Sequence, residues 1–148
     1  MQTNSLIEFQ KIAQDFVIKL FPLSDKATVV GLYGNLGAGK TTFVQTVARS
    51  LGVEETVTSP TFVIEKIYDL SSLEPRVSNF DHLIHIDAYR LEKSEELLHL
   101  GWQEIVSDSK NLILIEWPER VAEIMPRHIN VSLKTIENPD SRQIEIEY

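Results

Sequence analysis

Apolar residues follow two different spacings along this chain, and the spacings alternate from one segment to the next. Short runs of β-branched and other apolar residues, typical of buried strands, cover Thr28–Tyr33, Leu83–Asp87 and Asn111–Glu116. Over Thr42–Leu51 the apolar residues instead recur every three or four positions, as on one face of a helix. Strands that alternate with helices predict an α/β domain with a parallel central sheet.

The N-terminal segment is predicted to be a helix. Apolar residues keep helical spacing from Leu6 to Leu20, and Ser5 and Glu8 have the spacing of a capping box. Pro22 is expected to end this helix, because proline cannot continue the hydrogen-bond pattern.

The C-terminal segment has the alternation of strands with one face in water. Apolar side chains stand at every second position in two stretches: Ile129, Val131 and Leu133, then Ile144, Ile146 and Tyr148. The turn-forming residues 138–141 lie between them, which predicts an antiparallel hairpin. The expected architecture is therefore three layers, with a parallel central sheet and antiparallel edge strands.

The middle of the chain predicts two further elements. Thr61–Leu70 has the composition of a strand, and a polar excursion follows over Ser71–Asp81. Ser94 is predicted to cap a short helix over Glu95–Leu100, which has acidic residues in its first turn.

Size and composition limit the possible functions. At 148 residues the chain is predicted to be a single domain, 1–148. No apolar stretch reaches the roughly 18 residues of a membrane span, so no membrane association is expected. The absence of cysteine excludes disulfides and thiolate metal sites and fits a cytoplasmic protein. The net charge of −8, without a basic cluster, disfavours direct binding to RNA, so any link to RNA is expected through a partner.

A glycine-rich loop supplies the candidate chemistry. After the strand Thr28–Tyr33 the sequence reads G-x-x-x-x-G-K-T, the phosphate-binding P-loop, and a predicted helix follows. Glycines let the backbone aim its N–H groups at phosphate, Lys40 adds a full charge, and Thr41 adds a hydroxyl for Mg²⁺. The chain is therefore predicted to have a P-loop NTPase-like fold and to bind a nucleoside triphosphate. The predicted binding residues are Gly34, Asn35, Leu36, Gly37, Ala38, Gly39, Lys40, Thr41 and Thr42.

Two carboxylates end predicted strands, where a P-loop enzyme needs an acidic residue near Mg²⁺. Glu116 ends the most apolar strand and is expected to hold the metal, usually through water. Asp87 ends another strand and is expected to face the same crevice. The alternative for each is a strand-end cap or a surface ion pair. If both act, one binds metal and the other orients water, and the sequence leaves that division open.

Four segments resemble, in the same order, the motifs of the bacterial TsaE (YjeE) ATPases. They are the P-loop at 34–42, a switch segment at Thr58–Phe62, and two acidic motifs at His85–Leu91 and Ile115–Glu119. The resemblance extends from about residue 5 to the C-terminal hairpin. The switch segment is rich in hydroxyls and stiffened by proline, which suits a loop that becomes ordered on γ-phosphate.

The resemblance implies a cytoplasmic ATPase, weak by itself, that is needed for threonylcarbamoyladenosine synthesis on tRNA. It also implies docking on the TsaD–TsaB pair, where ATP hydrolysis resets the transferase, with tRNA reached only through these partners. Carried over by motif, Lys40 and the loop amides bind phosphates, and Thr41 and Glu116 serve Mg²⁺. Thr61 senses the γ-phosphate and Asp87 assists hydrolysis. The chain departs from the family at Asn35, where an Asp is usual.

Other function classes remain as alternatives. A stand-alone phosphotransferase usually has an arginine-rich lid, whereas the six arginines of this chain are scattered. A GTPase switch should carry an N-K-x-D-type guanine reader, which the sequence lacks. A non-hydrolysing nucleotide-binding adaptor would require Glu116 and Asp87 to be bystanders. His85, on a strand with alternating neighbours, is interpreted as a packed or hydrogen-bonded histidine and not as a catalytic one.

Overall fold

A mixed β-sheet forms the centre of the molecule. In the computed structural model, which describes residues 1–59 and 63–148, the sheet has seven strands. They are β1 (Gln2–Thr3), β2 (Thr28–Tyr33), β3 (Glu65–Asp69), β4 (His82–Asp87), β5 (Asn111–Glu116), β6 (Ile129–Thr135) and β7 (Arg142–Glu147). Their order across the sheet is β1-β7-β6-β2-β5-β4-β3. The four central strands run parallel, whereas β3, β7 and β1 pair antiparallel at the edges, as predicted.

Helices cover both faces of this sheet. Within the described residues they are α1 (Leu6–Val17), α2 (Lys40–Ser50), α3 (Ser94–Leu98), α4 (Trp102–Val106) and a 3-10 segment (Pro118–Ile124). No helix among them is long and apolar enough to cross a membrane. The apolar residues of α1 and α2 belong to one core, and those of α3, α4 and the 3-10 segment belong to a second. The predicted three-layer arrangement is confirmed.

Strand β5 lies in the sheet between the two cores and is buried along its whole length. Its side chains point alternately to opposite faces, so that Leu112 and Leu114 join the first core while Ile113 and Ile115 join the second. The same alternation places Glu116 on the face of Leu112 and Leu114, which is the face that α2 covers. The terminal carboxylate of β5 therefore lies beside the start of α2.

Helix α1 has the predicted cap but ends earlier than predicted. The Ser5 hydroxyl accepts a hydrogen bond from the backbone N–H of Glu8 at 3.2 Å. The Glu8 carboxylate in turn accepts from the N–H of Asn4 at 2.7 Å, one residue before the usual partner in a capping box. The helix ends at Val17, not at Pro22, and beyond it the N–H groups of Lys19 and Leu20 bond to carbonyls three residues back, as in a 3-10 turn.

Two predictions for the middle of the chain need correction. Ser94 is the first residue of α3 and does not cap it. The carboxylate of Glu96 reaches back instead and accepts from the N–H groups of Glu92 at 2.8 Å and Lys93 at 3.0 Å. Strand β3 begins at Glu65, and the first two residues of the predicted strand Thr61–Leu70 lie outside the described residues.

Candidate functional site

Two glycines of the P-loop hold backbone conformations that a side chain would prevent. Gly34 has a φ of 150°, and a Cβ there would lie 2.5 Å from the carbonyl oxygen of Leu133 on β6. Gly39 precedes α2 with a φ of 107°, and its Cβ would lie 3.2 Å from the Phe9 ring. Glycine is therefore required where the loop leaves β2 and where it enters α2.

An arginine on β7 ties the P-loop to the C-terminal hairpin. The Nε of Arg142 donates to the carbonyl oxygen of Ala38 at 3.0 Å, and its Nη2 donates to that of Gly37 at 3.3 Å. Its Nη1 also donates to Ser141 within the hairpin, at 3.0 Å. No local sequence pattern points to Arg142, because its partner Ala38 in the loop is 104 residues away.

Lys40 folds back against the loop from which it projects. Only 5% of this residue is exposed, and its Nζ donates to the carbonyl oxygens of Gly34 and Asn35, the second at 2.9 Å. The Nζ also lies 4.2 Å from the centroid of the Trp117 ring, within range of a cation–π interaction. The ammonium is thus held at the mouth of the loop by three contacts.

Burial and nearby carboxylates act on the Lys40 ammonium in opposite directions. Burial lowers the pKa of the Lys40 ammonium, and the carboxylates of Glu116, Glu119 and Asp87 partly oppose that shift. A lowered lysine pKa means that the charged form is incompletely compensated for lost hydration. A phosphate group beside the Nζ would supply that compensation.

Glu116 and Thr41 meet at the end of β5. The Thr41 hydroxyl donates to Oε1 of Glu116 at 3.0 Å, and Glu116 is only 3% exposed. The parallel pairing of β4 with β5 places Asp87 directly opposite Glu116. The two predicted Mg²⁺ residues, which are 75 positions apart, are therefore neighbours in the structure.

Asp87 contacts a different part of the chain from Glu116. Its Oδ2 accepts from the hydroxyl of Ser59 at 2.6 Å, and its Oδ1 accepts from the backbone N–H of Tyr89 at 3.1 Å. Ser59 belongs to the predicted switch segment, so Asp87 is linked to that segment. Thr61, predicted to sense the γ-phosphate, lies outside the described residues.

Trp117 forms one wall of the site in a left-handed backbone conformation. Its φ of 59° and ψ of 48° are uncommon for a bulky residue and mark local strain. The centroid of its ring lies 5.0 Å from that of the Tyr89 ring. The guanidinium carbon of Arg120 lies over the Tyr89 ring, 5.5 Å from the ring centroid. Trp102, in contrast, is buried in the core and donates its Nε1–H to Ile124.

These groups surround a cleft of about 420 Å³ at the carboxyl ends of the central strands. Its lining is Leu36, Gly37, Gly39, Lys40, Thr41, Thr42, Ser59, Asp87, Tyr89, Arg90, Glu116, Trp117 and Arg142. Gly34 and Asn35 line a neighbouring cavity, and Ala38 is buried. The described residues contain no cluster of three or more His, Asp or Glu side chains arranged to hold a metal. Most of the predicted site residues thus share one cleft.

The sequence is similar to one named protein family over nearly its whole length. The model of the family "Threonylcarbamoyl adenosine biosynthesis protein TsaE" matches residues 3–144. A protein named tRNA threonylcarbamoyladenosine biosynthesis protein TsaE from Treponema pallidum is 38% identical over 115 residues, which are 77% of this chain and 78% of that protein. A protein of the same name from Rickettsia typhi is 36% identical over 137 residues, covering 91% and 85% of the two chains.

The fold has a counterpart among solved structures. The crystal structure of Bacillus subtilus YdiB superimposes with a TM-score of 0.69 and 28% sequence identity. The match covers 97% of this chain and 80% of that one. The two structures therefore share the α/β architecture over nearly the whole of this chain.

Proposed function

This chain belongs to the TsaE family of tRNA threonylcarbamoyladenosine biosynthesis proteins, and we propose that it serves that pathway by hydrolysing ATP. ATP would bind with its phosphates on the P-loop. One observation carries the proposal: the Thr41 hydroxyl and the Glu116 carboxylate are 3.0 Å apart beside the Lys40 ammonium. A hydroxyl, a carboxylate and an ammonium at a helix N-terminus are the groups that a P-loop enzyme places around MgATP.

The oxygen groups of the cleft fit Mg²⁺. This ion takes oxygen ligands and is usually held by one or two protein groups, with water and phosphate oxygens completing the shell. Thr41 would bind the ion directly, and Glu116, already hydrogen-bonded to Thr41, would hold it through water. Mg²⁺ held there would neutralise charge on the β- and γ-phosphates. Lys40 would exchange its carbonyl partners in the loop for phosphate oxygens.

We assign Asp87 to the hydrolytic step and Thr61 to detection of the γ-phosphate. Asp87 lies opposite Glu116 in the sheet but bonds to Ser59 instead of Thr41. A carboxylate in that place is suited to orient the attacking water and to couple it to the switch segment. Loss of the γ-phosphate would then alter the segment that Ser59 and Thr61 share.

We further propose that the ATPase works on the TsaD–TsaB pair in the cytoplasm, where tRNA is modified. The net charge of −8 opposes direct binding of this chain to the phosphates of tRNA. Contact with tRNA would therefore be made through the partners. Hydrolysis can act on a partner only if the partner binds the ATP and ADP states with different affinity.

Replacing Lys40 with alanine tests the proposed nucleotide site. Lys40→Ala removes a charge-assisted contact to phosphate worth about 1.5–3 kcal/mol, so ATP should bind roughly ten- to a hundred-fold more weakly. Isothermal titration of ATP into the wild type and the variant measures this difference. Lys11→Ala is the matched control, because it removes the same charge from an exposed position that does not line the cleft. Equal ATP affinity in wild type and Lys40→Ala would exclude the P-loop as the nucleotide site.

A further inference from the structure

A buried histidine holds the second oxygen of Glu116. The Nε2 of His85 lies 2.6 Å from Oε2 of Glu116, while Oε1 accepts the hydroxyl of Thr41. His85 is 0% exposed, so it makes no contact with solvent or with a ligand in the cleft. Any influence of His85 on chemistry must therefore pass through Glu116.

The hydrogen bonds define the direction of this contact. A carboxylate accepts hydrogen bonds and donates none, so the Nε2–H of His85 donates this hydrogen bond to Oε2 of Glu116. The Nδ1 of His85 is buried and has no hydrogen-bond partner among the described residues. A proton on Nε2 satisfies this contact, and the contact requires no proton on Nδ1.

The sheet fixes His85 in this position. Strand β4 pairs in parallel with β5, which places His85 opposite Leu114 and one pleat away from Glu116 on the same face. The imidazole cannot withdraw, since both strands are central and buried. Glu116 is therefore fixed through one oxygen and presents the other to Thr41.

We propose that His85 is a positioning residue that holds the Glu116 carboxylate toward Thr41. It thereby sets the affinity of the site for Mg²⁺. The inference rests on the proposed function, in which Glu116 serves the metal. Groups that orient metal-binding carboxylates typically change metal affinity or activity about ten- to a hundred-fold when they are removed. Without His85, the carboxylate would lose the contact that restricts it to one orientation.

The test compares three variants by titrating ATP at a series of Mg²⁺ concentrations, one of which is zero. His85→Phe keeps the ring volume but removes the donor, and His85→Gln retains an N–H donor of similar reach. His82→Phe is the matched control, because His82 lies on the same strand and bonds to Asn111 at the opposite end of β5, at 3.2 Å. Mg²⁺ is expected to raise ATP affinity. We expect His85→Phe to raise about ten-fold the Mg²⁺ concentration at which half of that gain in ATP affinity is reached. His85→Gln and His82→Phe should stay close to the wild type.

ATP affinity without Mg²⁺ separates positioning from a merely structural role. It should be unchanged in His85→Phe, which also reports that the variant is folded. Should His85→Phe fail to fold, His85→Asn, whose amide is too short to reach Glu116, is expected to give the same shift. Wild-type Mg²⁺ dependence in a folded donor-less variant, or an equal loss of affinity with and without Mg²⁺, would overturn the inference.

A double variant tests whether His85 acts through Glu116. In the Glu116→Gln background, His85→Phe should add less than about a two-fold change, because the carboxylate it positions is already gone. Additive effects would refute the proposed route. A wild type that binds no MgATP would overturn the proposed function together with this inference, whereas normal wild-type binding with an unaffected His85→Phe would overturn this inference alone.

Discussion

Replacing Glu116 with glutamine is expected to lower ATP hydrolysis on the order of a hundred-fold, while MgATP affinity falls about ten-fold or less. The amide keeps the size of the side chain but removes the charge that would hold Mg²⁺ through water. Thr41 and the phosphates would still supply metal ligands, which is why binding should suffer less than turnover. Single-turnover hydrolysis and calorimetric titration measure the two effects on the same protein samples.

The neighbouring acid Glu119 provides the control for charge. Glu119→Gln removes an equal charge three residues away, from an exposed position in the 3-10 segment. It should leave hydrolysis within a few-fold of the wild type, because Glu119 acts on Lys40 through charge alone, whereas Glu116 is the carboxylate that Thr41 bonds to. Undiminished hydrolysis in Glu116→Gln would remove Glu116 from the mechanism and transfer the metal role to Asp87.

Replacing Phe43 with alanine is expected to cost about 3–5 kcal/mol of unfolding free energy. Phe43 is 0% exposed on α2 and lies between two rings of α1, with centroids 6.2 Å from Phe9 and 5.6 Å from Phe16. Truncation would leave a cavity between the helix that follows the P-loop and the helix that covers it. Denaturation in guanidinium, analysed at constant slope, measures the loss.

An exposed residue of α1 shows what truncation costs without a cavity. Ile7 is 78% exposed, so Ile7→Ala should change the unfolding free energy by less than about 0.5 kcal/mol. A loss at Phe43 no larger than that at Ile7 would mean that the aromatic cluster does not join α1 to α2.

Local sequence patterns predicted those elements whose structure depends mainly on the residues within the element. Strands β2 and β5 begin and end where the apolar runs do, because both strands are buried between two helix layers and need apolar side chains on both faces. The P-loop could be predicted because its glycines meet a backbone requirement that no other residue meets. The position of Glu116 followed from the same rule, since parallel strands end together at one edge of the sheet.

Contacts between distant segments could not be predicted in this way. Arg142 reaches the P-loop only because β7 pairs with β6, and β6 with β2. The two-residue strand β1 is too short for any periodicity to be visible. The interpretation of His85 as a packed or hydrogen-bonded histidine is confirmed. That its hydrogen-bond partner is Glu116 could not be predicted, because this pairing depends on the register between β4 and β5.

The two strand-end carboxylates have different partners in the structure. The sequence had left open which of them binds metal and which orients water. Glu116 is bonded to Thr41 and His85, whereas Asp87 is bonded to Ser59 and a backbone N–H. These contacts support the proposal that Glu116 serves the metal and Asp87 serves the water and the switch segment.

Partner dependence is the central element of the proposed function, and the steady-state ATPase rate tests it most directly. The rate is measured for this chain alone and with increasing amounts of the purified TsaD–TsaB pair, with Lys40→Ala in parallel to exclude contaminating activity. We expect a low rate for the chain alone and a saturable increase as TsaD–TsaB is added, absent in Lys40→Ala. A rate that stays the same at every concentration of TsaD–TsaB would contradict the proposal.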